Sequence, residues 1–314
     1  MILLNLCLFL AFLTVLIKSA NYATKYSSKL ARMFHLSEFI VSFFIVAVIS
    51  AFPEGTIAVI SAIRGVPEFG LGTLLGSNVA DLALVFGIVA LVSGKGITVK
   101  SEILKKDFFY LALLLFPVLL GMDGQFSRIE GILLVTAGLY FFFSLSIESK
   151  MFRKKFEGIK ARHLFKNIGL LVLSLAALAI SANYAIEFGV GFAKDIHLPP
   201  ILIGLTIVSI GTCLPELFFS IKAVKNSHDE LALGDILGTV IMDVTIILGI
   251  TAIIKPFFFD PLIIYVTGIA MFIAGILTVL FITTGKTLSK KEGICLLLFY
   301  AFFIAIEVVL SRIV

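Results

Sequence analysis

The sequence predicts an all-α membrane protein of ten transmembrane helices, arranged as two inverted five-helix repeats. Three observations carry this. Hydrophobic residues make up 60% of the 314 residues and charged ones 14%, with a mean hydropathy of +1.14, so too little polar surface exists to cover a soluble domain. The second half repeats the first at an offset of 162 residues: Pro215-Glu216 repeats Pro53-Glu54, Gly234 repeats Gly72, Gly238-Thr239 matches Gly76-Ser77 and Asp243 repeats Asp81. At the same offset Ser181-Ala182-Asn183-Tyr184-Ala185 copies Ser19-Ala20-Asn21-Tyr22-Ala23 without a change. Counting apolar runs of the roughly 20 residues that a spanning helix needs gives five per half. An odd number of spans sends the second copy into the membrane upside down.

The runs cover residues 2–24, 37–63, 70–94, 107–122 and 127–148, then 168–192, 198–222, 230–254, 261–283 and 293–311. The first begins at Met1 with no basic segment before it and no small-residue cleavage pattern, so it is expected to stay as a helix. With both termini outside, twenty Lys and Arg fall in the inner loops and only Arg64, Arg128, Lys194, Lys255 and Arg312 in the outer ones, as the positive-inside rule requires. The chain thus divides into a first repeat (1–148), a basic cytoplasmic linker (149–167) and a second repeat (168–314). The linker lacks the cluster of acids that a regulatory Ca²⁺ loop would need, since Glu157 stands alone after Glu148. Topology accounts for the net charge of +5, so nucleic-acid binding gains no support. Cys7, Cys213 and Cys295 show neither metal-ligand spacing nor a disulfide framework.

Chemistry resides in the mid-span acids. A carboxylate facing lipid at the bilayer centre costs roughly 2.5–3.5 kcal/mol, so Glu54, Asp81, Glu216 and Asp243 are expected to converge on a polar interior. Pro53 and Pro215 each free an upstream carbonyl beside an acid. Ser50, Thr212, Ser77 and Thr239 add hydroxyl oxygens, and Gly72, Gly76, Gly234 and Gly238 allow close helix approach. Asp235, two turns before Asp243, is a further site-lining candidate. The sum is an oxygen cage without Lys or Arg in its helices' cores. Such a cage suits a hard divalent cation, Ca²⁺ above all, whereas transition metals favour His or Cys, and all four histidines fall in loops or at helix ends.

Gly211-Thr212-Cys213-Leu214-Pro215-Glu216 resembles the G-T-S-x-P-E motif of the sodium/calcium exchangers, and Gly76-Ser77-Asn78-Val79-Ala80-Asp81 is similar to their G-S-N-x-x-D or N. These are the paired repeat motifs of the calcium/cation antiporter superfamily, and the resemblance covers nearly the whole chain. It implies an antiporter in which helices 2, 3, 7 and 8 hold the ions and helices 1 and 6 slide across them. Glu54 and Glu216 would be shared ligands for Ca²⁺ and the counter-ion, completed by Asp81 and Asp243.

The chain departs from that pattern at Ile49, Ala51 and Cys213, where the motif has glycine, serine and serine. Lost serine hydroxyls weaken both flanking sodium sites. Asp81 and Asp243 are both acidic where relatives can carry Asn, and four carboxylates in one cage repel, which makes H⁺ a rival counter-ion. The expected function is export of Ca²⁺ from the cytoplasm in exchange for Na⁺ by alternating access, with a H⁺/Ca²⁺ antiporter as the alternative and a cation channel more distant. An intramembrane enzyme is disfavoured, for the helices hold no His pair, Ser-Lys pair or H-E-x-x-H. No cofactor is expected beyond the transported ions. The expected partners are Ca²⁺, a monovalent counter-ion and the lipid bilayer, the expected unit a monomer, and the expected location the plasma membrane. Glu307 and Glu38 read as solvated or interfacial acids near helix ends, and Asn21, Tyr22, Asn183 and Tyr184 as gates of the ion path or interfacial anchors.

Overall fold

The computed structural model describes the chain except residues 1, 35–36, 64, 66, 100–106, 152–160, 196–208 and 311–314. Helix α1 (Ile2–Phe34) continues well past the apolar run expected at 2–24. The extra turns are amphipathic and still bury Ser27, Ser28 and Leu30. At 33 residues α1 is about 50 Å long against a hydrocarbon core of about 30 Å, longer than an upright crossing requires. Its partner α7 (Ala161–Asp195) has the same excess length.

The expected span 37–63 is two helices rather than one. α2 (Glu38–Ser50) stops at Ala51 and α3 (Phe52–Ile63) starts afresh. The second copy breaks at the same place: α8 (Ser209–Thr212) ends at Cys213 and α9 (Leu214–Lys225) follows, while the start of the expected span 198–222 lies outside the described residues. Proline explains both breaks. Pro53 and Pro215 are the second residues of their helices, where a missing N–H costs nothing, but further back they would have clashed with the preceding turn.

Helix α4 comprises Pro67–Val79, a wide π turn at Ala80–Val85 and Phe86–Val92. Helix α10 repeats it as Asp229–Ile241, Met242–Ile247 and Leu248–Ile254, segment for segment at the 162-residue offset. The outer helices are α5 (Asp107–Leu120), α6 (Arg128–Met151), α11 (Ile269–Gly285, after a π turn at Ile264–Gly268) and α12 (Lys290–Leu310). Six described stretches are long and apolar enough to cross a membrane; of the other four expected spans, three are represented by the shorter apolar helices Glu38–Ser50, Phe108–Asp123 and Phe165–Ser181, and the fourth, 198–222, lies partly outside the described residues. Because α6 reaches Met151 and α7 starts at Ala161, the helices take both ends of the expected linker 149–167; Ala, Arg and Lys there are good helix formers. The remaining residues, 152–160, lie outside the described ones.

Contacts between the halves obey the same two-fold relation. Strand β1 (Ile97–Thr98) pairs antiparallel with β4 (Thr287–Leu288), and β2 (Gln125–Phe126) pairs with β3 (Phe257–Phe258). Gly87 of α4 meets Gly293 of α12, and their counterparts Gly249 of α10 and Gly131 of α6 meet likewise. A Cβ on Gly249 would stand 2.7 Å from the Gly131 carbonyl oxygen. Within the core, α10 lies so close to α2 that a Cβ on Gly234 would reach the Phe39 carbonyl at 2.5 Å. Gly72 is different: among the described residues nothing lies within 4 Å of its would-be Cβ, and the segment that would mirror α2 against it falls at 196–208.

Close helix approach at Gly249 sets a stability test. Gly249→Val should cost about 1–3 kcal/mol through overpacking, whereas Gly169→Ala, where nothing stands within 4 Å, should be neutral or stabilising by up to about 1 kcal/mol. Thermal unfolding of the two purified variants in detergent checks the contrast, and equal melting temperatures would contradict the packing described.

Candidate functional site

All nine candidate residues lie in one buried region of the core. Glu54, Asp81, Glu216, Asp235, Asp243, Ser50, Thr212, Ser77 and Thr239 are each at most 2% exposed. The helix breaks place the glutamates. Glu54 and Glu216 sit in the first turns of α3 and α9, next to the free N–H groups and positive dipole ends of those helices. The π turns place the aspartates. Asp81 and Asp243 are each the second residue of such a turn, a distortion that interrupts the regular hydrogen-bond ladder and is frequent at functional sites.

Hydrogen bonds cross between the halves. Ser50 Oγ on α2 donates to Asp235 Oδ1 on α10 at 3.0 Å, and the Thr212 hydroxyl on α8 bonds the Glu54 carboxylate on α3. Each hydroxyl that precedes a helix break therefore holds an acid of the opposite repeat. Ser77 instead donates to Leu74 of its own helix at 2.9 Å, keeping its lone pairs for other partners.

What remains is an excess of acceptors. Among the described residues, Glu54 Oε2, Asp81 Oδ1, Asp235 Oδ2, and both carboxylate oxygens of Glu216 and Asp243 accept no hydrogen bond, and Thr239 Oγ1 is also unsatisfied. Asp81 lies within electrostatic range of Glu54, Glu216, Asp235 and Asp243. Among the described residues no Lys, Arg or His is paired with any of them. Nor do three acids, thiols or imidazoles close on one metal-binding point.

Several members of this region were not singled out from sequence. Asn78, one turn before Asp81, is fully buried with neither amide atom satisfied. Ser220, one turn beyond Glu216, is also buried and unsatisfied. The i−3 and i+4 spacings from the acids were the available signal. The Cys213 thiol contacts the Ser77 carbonyl oxygen at 3.5 Å and the Asp81 carboxylate. Tyr110 of α5 reaches the Leu237 carbonyl at 3.5 Å and lies near Asp81.

Two acids read as interfacial are tied down. Glu38 accepts from Ser28 at 2.8 Å and contacts His228 Nδ1 at 2.9 Å, linking α1, α2 and the start of α10. Glu307 accepts from Thr267 at 2.7 Å. Conversely Asn21, Tyr22, Asn183 and Tyr184 are exposed on the outer surfaces of α1 and α7, where Tyr184 stacks on Phe12, so they do not line the acid-filled core.

A family model described as sodium/calcium exchanger protein matches residues 4–147 and again 166–309. The chain belongs to the sodium/calcium exchanger family. Among the relatives of this exchanger, the sodium/calcium exchanger MaX1 of Methanosarcina acetivorans is 28% identical over 98% of this chain and 99% of its own length. The inner membrane protein YrbG of Escherichia coli is 28% identical over 80% of each. The solved structure of the sodium-calcium exchanger NCX_Mj superposes with a TM-score of 0.85 at 24% identity, covering 97% of this chain and 99% of that one, and so shares the fold. The chain is an antiporter of the membrane and not an enzyme.

The cross-half bond gives a direct test of the site's architecture. Ser50→Ala should destabilise the exchanger by about 1–3 kcal/mol by leaving a buried carboxylate oxygen unsatisfied. In a double-mutant cycle with Asp235→Ala, read by denaturant unfolding, the two changes should couple by about 1 kcal/mol or more, and additive effects would show that the bond does not form.

Proposed function

We propose that this exchanger moves Ca²⁺ out of the cytoplasm in return for Na⁺, by alternating access around the buried acids, and that Glu54, Glu216, Asp81 and Asp243 are its principal cation ligands. One observation carries the reading: seven carboxylate oxygens from five acids are buried together without a hydrogen bond or a basic partner among the described residues. A divalent cation that takes six to eight oxygens in flexible geometry matches that supply. Ser50, Ser77, Thr212, Thr239 and Asp235 complete the set, Asp235 held in place by Ser50. The names of the relatives, exchangers of sodium and calcium, support the ion pair.

Coupling follows from charge. An empty cage leaves several unpaired buried carboxylates, an arrangement that costs several kcal/mol per ion, so the unloaded carrier is barred from reorienting. Ca²⁺ and the counter-ion then compete for the same oxygens, and one crosses only when the other returns. The long α1 and α7 pack along each other, with Asn5 bonded to Asp195 at 2.8 Å, which supports the reading that they slide as one unit. The charge asymmetry of the loops supports an orientation with both termini outside and the linker in the cytoplasm, in what we take to be the plasma membrane. On that side a polar cleft of about 510 Å³ opens between Glu38, Lys95, Asp229 and Glu230, none of them a cage residue.

A second reading, H⁺ as the counter-ion, is favoured by Ala51. Where relatives place a serine, Ala51 lines an apolar groove with Val48, Val59 and Ile247 and offers no oxygen to a sodium ion.

Uptake of ⁴⁵Ca²⁺ into proteoliposomes loaded with Na⁺, with K⁺ or at acid internal pH separates the readings. Uptake from Na⁺-loaded vesicles is expected, and uptake driven by the pH gradient alone would establish proton exchange. Glu54→Gln and Glu216→Gln should each abolish the flux, and wild-type flux in either would remove the ligand assignment. The double change Ala51→Ser and Cys213→Ser, which restores both hydroxyls, should raise the Na⁺ sensitivity of Ca²⁺ uptake; an unchanged Na⁺ titration would show that these positions do not face sodium.

A further inference from the structure

Cys213 and Ala51 are counterparts at the two helix breaks, yet their surroundings differ. Ala51 borders the apolar groove of about 410 Å³. The Cys213 thiol, 1% exposed, points among the acids: it hydrogen-bonds the Asp81 carboxylate and meets the Ser77 carbonyl oxygen at 3.5 Å. Among the described residues Asp81 Oδ1 beside it accepts nothing, and Glu54 Oε2 and both Glu216 carboxylate oxygens, whose charges also act on this sulfur, accept nothing either.

A cage of oxygens alone sorts cations by charge and size. Sulfur adds a second criterion, because a soft thiolate prefers soft metals while carboxylates and carbonyls suit Ca²⁺, Mg²⁺ and Mn²⁺. Cys213 is the sole sulfur among these ligands, and it stands at one end of the cage only, since its twin is Ala51.

We propose that the cage has a soft end, in which Cys213 Sγ, the Asp81 carboxylate and the Ser77 carbonyl oxygen bind thiophilic divalent cations, Cd²⁺ foremost and Zn²⁺ after it, and that such an ion blocks Ca²⁺ exchange. The proposal rests on the reading of the acids as the transport site. When Cd²⁺ binds, the S–H bond breaks, an S–Cd bond forms with the sulfur's electron pair, and the proton passes to water. The metal keeps its charge throughout, so no oxidant or reductant is involved. A Cd²⁺ ion held in this way neutralises Asp81 and withdraws it from the position shared with Glu54 and Asp243, which is how it excludes Ca²⁺.

The other two cysteines, Cys7 and Cys295, are exposed and can be removed, so the test uses the full-length chain carrying Cys7→Ser and Cys295→Ser. Two readouts are compared with and without Cys213→Ser, and with Cys213→Ala as a second replacement. The first is the ultraviolet sulfur-to-cadmium charge-transfer band on adding Cd²⁺ to purified protein. The second is inhibition of ⁴⁵Ca²⁺ flux by Cd²⁺ and by Mn²⁺, each normalised to that variant's own uninhibited flux. With Cys213 present the band should appear, and removing the thiol should abolish it. The half-inhibitory Cd²⁺ concentration should then rise by at least about tenfold, the scale on which metal sites weaken when even an outer partner is lost, while Mn²⁺ inhibition stays put. No band, or equal Cd²⁺ potency with and without the thiol, overturns the proposal. A band in a protein that carries no Ca²⁺ flux would leave the soft site standing and sink the exchange reading instead.

Discussion

Five carboxylates, of Glu54, Asp81, Glu216, Asp235 and Asp243, are buried in one interior where, among the described residues, no Lys, Arg or His is paired with them. Two unit charges about 5 Å apart at an effective dielectric of 20 repel by roughly 3 kcal/mol, and desolvation adds several kcal/mol for each ion. A fold that is stable by only about 5–15 kcal/mol cannot hold such a set fully charged and unaccompanied. Cations or protons therefore belong to the resting molecule as much as the helices do. The local architecture serves the same requirement, since the broken helices end where the acids are and turn their positive N-terminal ends toward Glu54 and Glu216.

Inversion explains why both halves are needed. Each repeat brings a hydroxyl just before its helix break and acids just after it, but the hydroxyl bonds an acid of the other repeat, Ser50 to Asp235 and Thr212 to Glu54. Neither half alone satisfies its own buried groups. The same reciprocity recurs at the rim, where β1 pairs with β4 and β2 with β3, and in the glycine contacts of α4 with α12 and of α6 with α10. Without a hydrophobic driving force between helices in lipid, such close glycine approaches and internal polar bonds are what hold a bundle together.

The repeat of 162 residues was legible from sequence because intramembrane acids are costly and rare, so a matched pair of them marks a register that apolar residues, interchangeable in lipid, would blur. The same repeat carried fold class, span order and eight of the nine buried candidates, the ninth, Asp235, standing opposite Thr73 in the repeat. Helix limits were not legible. Apolar length marks the part of a helix that lies in lipid, whereas α1 and α7 run on into amphipathic turns held by packing on each other. Pro53 and Pro215 signalled irregular backbone, yet only the structure shows one-residue interruptions at Ala51 and Cys213 and π turns at the aspartates. Asn78 stood inside a recognised motif, but an amide carries no insertion cost large enough to make it conspicuous. The Glu38 link to Ser28 and His228 depends on how three helix ends meet, which no local pattern encodes.

Departures from the repeat carry as much meaning as the repeat itself. Were the halves identical, the inward-open and outward-open states would be mirror copies of equal energy, and the chain would have no built-in bias between them. The halves differ where the chemistry is: Asp235 faces Thr73 across the repeat, Asn78 corresponds to Val240, Ser220 to Ala58 and Cys213 to Ala51. Three of these four extra polar groups lie in the second half, so exchanging the conformations of the two halves exchanges unlike ligand sets. A state that gathers Asp235, Ser220 and Cys213 about the ion differs in energy from the one that gathers their counterparts. A bias of only 1.4 kcal/mol already shifts a two-state population tenfold. Asymmetry of ligands within a symmetric frame is thus sufficient to give the two faces of this exchanger different affinities for the same ion.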